Sequence, residues 1–237
     1  MTKKLTVQVW SDIACPWCFI GKRRFEAALA RFPHREDVVL HWRSFELDPS
    51  APRSPQPAGG HAERIARKYG MPVATAKQRT ASMTEMAQTE GIDFQFDRLR
   101  PGNTFDAHRL LHLADEHALQ GALKERLLRA YFTEGQPMND PDVLARLAGE
   151  SGLDVDAARA MLAGDDFADA VRADERVAAE AGIHGVPFFL IGHYGVSGAQ
   201  PAELLLEALG KAWSELLPEA ATEPLDEGAT CGPEGCV

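Results

Sequence analysis

Residues 5–18 read Leu5-Thr6-Val7-Gln8-Val9-Trp10-Ser11-Asp12-Ile13-Ala14-Cys15-Pro16-Trp17-Cys18. The run Leu5–Trp10 has strand character, and Pro16 opens a helix in which Phe25, Leu29 and Phe32 fall on one face. Two cysteines therefore stand at the first turn of a helix that follows a strand. A thiol there faces backbone N–H groups without partners and the positive end of the helix dipole. Both favour the thiolate, which is the nucleophilic form. Cys15 is the expected nucleophile with a lowered pKa, and Cys18 is spaced to attack whatever Cys15 has captured. The pattern reads as a dithiol–disulfide redox site. A zinc half-site is the competing reading of two cysteines at this spacing, and the strand and helix around them argue against it.

Working outward, the cysteine usage is economical. The four cysteines form two pairs, Cys15 with Cys18 and Cys231 with Cys236, and none lies between the pairs. The net charge of −10 argues against nucleic acid or an anionic membrane as a partner. No stretch is long and apolar enough to span a bilayer. Gln8, Ser11 and Asp12 interrupt any signal-peptide core behind Lys3 and Lys4. A cytoplasmic location is expected. Thiols stay reduced there, so paired cysteines serve catalysis or metal binding rather than structure.

The first strand and helix lead to a second strand over Val38–Phe45, and a parallel pair joined by the helix is expected. Pro49, Pro52, Pro55 and Pro57, closed by Gly59-Gly60, then mark a loop. Helical patterns follow over 62–69, 73–90, 105–117, 122–132, 141–150 and 155–162, with Asp140 and Thr104 as expected caps. Residues 167–181 are a further helix. Two apolar runs around Gly192-His193 read as a hairpin. Pro201 opens a last helix with Leu204, Leu205, Ala208, Leu209, Trp213 and Leu216 on one face. Beyond it, residues 218–237 hold no Lys or Arg and several acids, the composition of a flexible acidic tail.

This order is that of an α/β thioredoxin fold carrying a large all-helical insertion. The chain resembles the DsbA family of thioredoxin-fold oxidoreductases, and within it the FrnE-like branch. The residues that carry the likeness are Ser11-Asp12, Cys15–Cys18, Asn103–Arg109, Gly185–Phe189 and Ser197–Pro201. The division that follows is 1–48 and 165–217 for the two parts of the thioredoxin-fold domain, 49–164 for the insertion, and 218–237 for the tail. The resemblance implies a cis Val186-Pro187 bond beside the dithiol, with the Val186 backbone open to pair with an extended client. Trp17 either forms part of an apolar client-facing surface or simply packs. Pro16 suits the first helical turn and tunes the site. Asp12 carries protons, raises the thiol pKa through like charge, or caps the turn. His184, near Pro187, is a tuning candidate. His108 and His112 share a helix face, for which packing or exposure is expected rather than metal.

Cys231 and Cys236 sit among acids, so their pKa values are not expected to be lowered. A linker of this length spans roughly 20 Å, which brings the pair within range of Cys15 as a redox relay. The expected activity is that of a protein thiol–disulfide oxidoreductase or disulfide isomerase. Its partners would be protein clients and a thiol reductant, glutathione among the candidates, with no cofactor beyond the cysteines. Two alternatives stand beside it. Kappa-class glutathione transferases and hydroxychromene-carboxylate isomerases share the plan, although a serine typically stands in the place of Cys15. A metal-binding protein using all four cysteines is the third reading.

Overall fold

The computed structural model describes residues 3–216. The expected tail, with Cys231 and Cys236, lies outside the described residues. The first strand, β1 (Leu5–Ser11), is followed by helix α1 (Pro16–Arg31) and strand β2 (Val38–Ser44). Six helices come next: α2 (His61–Tyr69), α3 (Val73–Thr89), α4 (Phe105–Glu116), α5 (Gln120–Phe132), α6 (Pro141–Glu150) and α7 (Val155–Ala163). The chain then returns through α8 (Ala168–Glu180), the hairpin β3 (Phe188–Ile191) and β4 (Tyr194–Ser197), and α9 (Ala202–Leu216).

The strands form one sheet in the order β2-β1-β3-β4. The pair β1–β2 is parallel, with Val9 opposite Trp42, and β1–β3 is antiparallel, with Val9 opposite Phe189. This is the thioredoxin fold with a helical insertion that the sequence implies. Alternation along β1 divides its side chains between two faces. Leu5, Val7 and Val9 pack with Phe25 and Ala28 of α1, with Phe32 just after it, and with Leu205 and Leu209 of α9. Trp10 points to the other face, packs with Ala178 and Ile183, and donates its indole N–H to the Asp174 carbonyl at 3.0 Å.

A second core lies in the helical segment, where Phe94, Phe96 and Phe132 pack with leucines of α4, α5 and α6. Helix α1 belongs to both cores. Its Phe25 and Ala28 join the core of the sheet, while Phe19 and Ile20 enter the helical core. The start of α1 is thus wedged where the two cores meet, which gives the cysteines a fixed and buried seat.

Two local expectations are corrected. Thr104 stands at the start of α4 but makes no capping bond; Asn103 accepts the Phe105 N–H at 3.0 Å instead. The Asn103 side chain is already anchored by donating to Glu46 at 2.9 Å. Leu204 is 41% exposed rather than buried, because Leu205 and Leu209 already fill the face of α9 toward the sheet. Asp140 caps α6 as expected, accepting from the Asp142 and Val143 N–H groups.

Candidate active site

Cys15 is the residue just before α1, and Pro16 is its first helical residue. The Cys18 N–H donates to the Cys15 carbonyl at 3.1 Å, which fixes the turn. Both cysteines are free thiols and buried, Cys15 being 4% exposed and Cys18 0%. Trp17 projects outward, 38% exposed, and Leu47, 39% exposed, follows β2 close by through its bond to Asp12.

The Val186-Pro187 bond is cis. The Cys15 thiol donates to the Val186 carbonyl at 3.5 Å. That carbonyl is therefore not open as expected while Cys15 is a thiol; it is released when Cys15 ionises or forms a disulfide. The Pro187 carbonyl accepts the Gly198 N–H at 2.8 Å, which brings the Ser197–Pro201 loop alongside. His184 is exposed.

The thiols titrate as a coupled pair. The hydrogen bond with Cys18, together with burial and the Cys18 charge, pushes Cys15 well above its ordinary range. Burial opposes ionisation of Cys18 too. The Cys15 hydrogen bond, the Lys124 ammonium and Ser11 outweigh it and lower the Cys18 pKa. The neighbouring Cys18 and burial thus work against the lowering that the helix start alone would give Cys15. Its Sγ makes no capping bond to the helix N–H groups but points at Val186, while the cation stands behind Cys18.

Asp12 is 1% exposed. Its carboxylate accepts the Ala14 N–H at 3.2 Å and the Leu47 N–H at 2.8 Å. It joins the cysteine turn to the loop after β2. His108 of α4, itself buried, stands 3.4 Å from Asp12 Oδ1. Burial works against the Asp12 charge, but His108 and the two N–H groups hold its pKa below the ordinary value. Capping, rather than like-charge pressure on the thiol, is its main visible part. Arg109, next to His108, closes the C-terminal end of α7 through the Met161 and Gly164 carbonyls at 2.7 and 2.6 Å. His112 lies 3.2 Å from Asp174, so both histidines of the pair engage carboxylates.

Lys124 was not apparent as a site residue. It is 0% exposed, lies 5.5 Å over the Trp42 ring and has no hydrogen-bond partner for its ammonium. The signal was present in the helix pattern. Gln120 and Lys124 stand in the same helical stripe as Leu127, Leu128 and Tyr131, where a polar side chain has to be buried.

Residues 6–210 match the DSBA-like thioredoxin domain. The chain belongs to this family. Among solved structures, the probable DsbA oxidoreductase SCO1869 from Streptomyces coelicolor is 45% identical, with a TM-score of 0.84 and 98% of each chain covered. The Bacillus subtilis (strain 168) protein YwbO, described as uncharacterized, is 31% identical over 86% of this chain and 94% of its own. The cytosolic disulfide reductase DsbM from Pseudomonas aeruginosa, solved with GSH, shares the fold at 18% identity, with a TM-score of 0.55 and coverage of 90% and 99%. No helix among the described residues is long and apolar enough to cross a membrane.

Proposed function

We propose that this thiol–disulfide oxidoreductase acts on protein disulfides in the cytoplasm, with Cys15 as nucleophile and Cys18 as resolving thiol. The observation that carries the reading is the Cys15 thiol, at the start of α1, against the Val186 carbonyl beside Pro187. An extended client laid along Val186 would present its disulfide to Cys15, the less buried of the two thiols. The Val186 N–H, which has no partner among the described residues, would pair with the client backbone. Trp17 and Leu47 would offer the client apolar surface.

The chemistry runs in two exchanges. Cys15 leaves the Val186 carbonyl, gives its proton to the neighbouring Cys18 and attacks a client sulfur. A Cys15–client disulfide forms and one client thiolate leaves. Cys18 then attacks the Cys15 sulfur, the Cys15–Cys18 disulfide forms, and the second client thiolate leaves. The client gains two electrons, and a thiol reductant restores the dithiol. Glutathione is the candidate, supported by the fold shared with a reductase solved with GSH. The same steps reversed oxidise a dithiol, and slow resolution lets a client rearrange on Cys15.

The tail pair is proposed as a relay to this site. Helix α9 ends at Leu216, whose carbonyl accepts from Lys3 beside the start of β1, whereas Cys15 follows the end of β1. The seven residues of β1 separate the two points by about 23 Å. The stretch from Leu216 to Cys231 reaches about 50 Å when extended and about 21 Å when relaxed. Transfer within one molecule is therefore in range without a preformed contact. A Cys15–tail disulfide trapped in Cys18→Ser protein by mass spectrometry is the expected sign, and its absence under mild oxidation removes the relay.

The test of the main reading is dithiothreitol-driven insulin reduction by wild type and by Cys15→Ser. Turnover by wild type that is lost in the variant is expected. A wild-type rate equal to that of dithiothreitol alone overturns the protein-disulfide reading.

A further inference from the structure

Leu47, the exposed apolar side chain tied to the cysteine turn, stands on a segment with no regular structure to shape it. Residues 45–60 form neither helix nor strand, and four of them are proline, without an N–H to donate. A single residue ahead of α4 holds the near end of this segment at three points. Asn103 donates from Nδ2 to Glu46 Oε1 at 2.9 Å and to the Pro49 carbonyl at 3.2 Å, and its backbone N–H donates to the Pro52 carbonyl at 2.9 Å. Its Oδ1 accepts the Phe105 N–H, so both polar atoms of the side chain are used, and the residue is 4% exposed. Glu46, whose side chain is fully buried, gives its other oxygen to Arg172 at 2.6 Å. Leu47 is the next residue, and its N–H reaches Asp12. Asp12 in turn faces His108 in the first turn of α4. The contacts close a ring from Asp12 through Leu47, Glu46 and Asn103 to α4 and back. Helix capping accounts for Oδ1 of Asn103 and leaves its three loop contacts unexplained.

We infer that Asn103 is a positioning residue for the client: it sets where Leu47 stands beside the dithiol, and so how readily an extended client seats, while touching neither client nor thiol. This rests on the protein-disulfide reading above. Asparagine suits the place because the group it must hold is a buried carboxylate. The amide nitrogen supplies two donors, for Glu46 and Pro49, and the amide oxygen an acceptor for Phe105. A carboxylate of the same shape would still accept from Phe105 but would meet Glu46 charge to charge. Holding the loop in place before the client arrives removes an ordering cost that binding would otherwise bear. The loss of Asn103 should therefore appear in KM for a protein client. The reactivity of Cys15, which answers to Cys18, burial and the Val186 carbonyl, should be far less affected.

The experiment uses the full-length protein and two readouts. One is dithiothreitol-driven reduction over a range of insulin concentrations. The other is alkylation of Cys15 by iodoacetamide, a small neutral reagent, followed by peptide mass spectrometry. Asn103→Asp keeps the acceptor for Phe105 and removes both side-chain donors to the loop. KM for insulin is expected to rise about tenfold, with kcat and the Cys15 alkylation rate changed by less than about twofold. Adding Glu46→Gln exchanges donor and acceptor between the two side chains and should bring KM back to within about threefold of wild type. A merely structural loss would move kcat and alkylation as well and would not be reversed by the second substitution. An unchanged KM, an equal change in alkylation, or no recovery in the double variant overturns the inference. If Asn103→Asp does not fold, Glu46→Gln alone decides. It weakens the same bond, so KM should rise about threefold, and an unchanged KM overturns the inference. Wild type no faster than dithiothreitol alone instead removes the protein-disulfide reading, and this inference with it.

Discussion

Gly21 lies inside α1, where glycine costs about 1 kcal/mol relative to alanine. Its place is explained by what stands opposite. A Cβ at Gly21 would lie 2.8 Å from Pro187 Cγ, 3.4 Å from Phe189 Cζ and 3.5 Å from Pro187 Cβ. A proline ring has no rotamer that turns it away, so ordinary contact requires α1 and Pro187 to separate by about 0.7 Å or more. Such overpacking costs about 1–3 kcal/mol, against about 1 kcal/mol of gained helix propensity. Gly21→Ala should therefore destabilise by about 0–2 kcal/mol and lower Tm by up to about 8 °C in a chain of this size. Gly210, exposed in α9 with nothing near its missing Cβ, is the control. Gly210→Ala should gain about 1 kcal/mol and raise Tm by about 2–4 °C. Thermal melting by circular dichroism measures both. The same displacement pulls Cys15 from the Val186 carbonyl. Insulin reduction by Gly21→Ala should fall about fivefold for each 1 kcal/mol lost at the transition state. Gly21→Ala protein that melts above wild type, as Gly210→Ala should, with unchanged reduction, would refute the packing argument.

Two further outcomes follow from buried polar groups. Strand β2 is an edge strand, and the Gln120 side chain covers its free side at Trp42, accepting the N–H at 2.8 Å and donating to the carbonyl at 3.1 Å. Gln120→Ala leaves both groups without partners and should cost about 2–4 kcal/mol in urea unfolding; a change within about 0.5 kcal/mol contradicts this. Burial, aided by Arg64, holds His61 down at about 4, from an ordinary 6.5, where it stacks on Phe96 at 4.6 Å. The fold thus favours the neutral ring. Its stabilising contribution is complete above pH 6.5 and is lost as pH falls toward about 4, up to about 3 kcal/mol in all. His61→Phe should flatten that loss when urea unfolding is compared at about pH 7 and about pH 4.5. An equal fall in both proteins would show that other groups cause it.

Much of this molecule was legible along the chain because its signals are local. The alternation of Leu5, Val7 and Val9, Pro16 after Cys15, and Asp140 before Pro141 each depend on a few neighbouring residues. They were enough to order the strands and helices and to bring Cys15, Cys18, Val186 and Pro187 together through the topology. That Asn103 rather than Thr104 caps α4 depends on Glu46, which lies far off in sequence, so the local pattern does not decide between them.

The sequence by itself determined the order of elements, the place of the cysteine pair at a helix start, and the period of each buried face. Only the tertiary structure decided what occupies the Val186 carbonyl and why Gly21 has no side chain. The helix-start argument for Cys15 considers only the backbone that follows it. Cys18 also feels the charge of Lys124, more than a hundred residues away on α5, a helix that packs on β2 through Gln120. Electrostatic interaction and steric exclusion depend on distance in space, and in a buried site with little water to screen them they outweigh the local pattern.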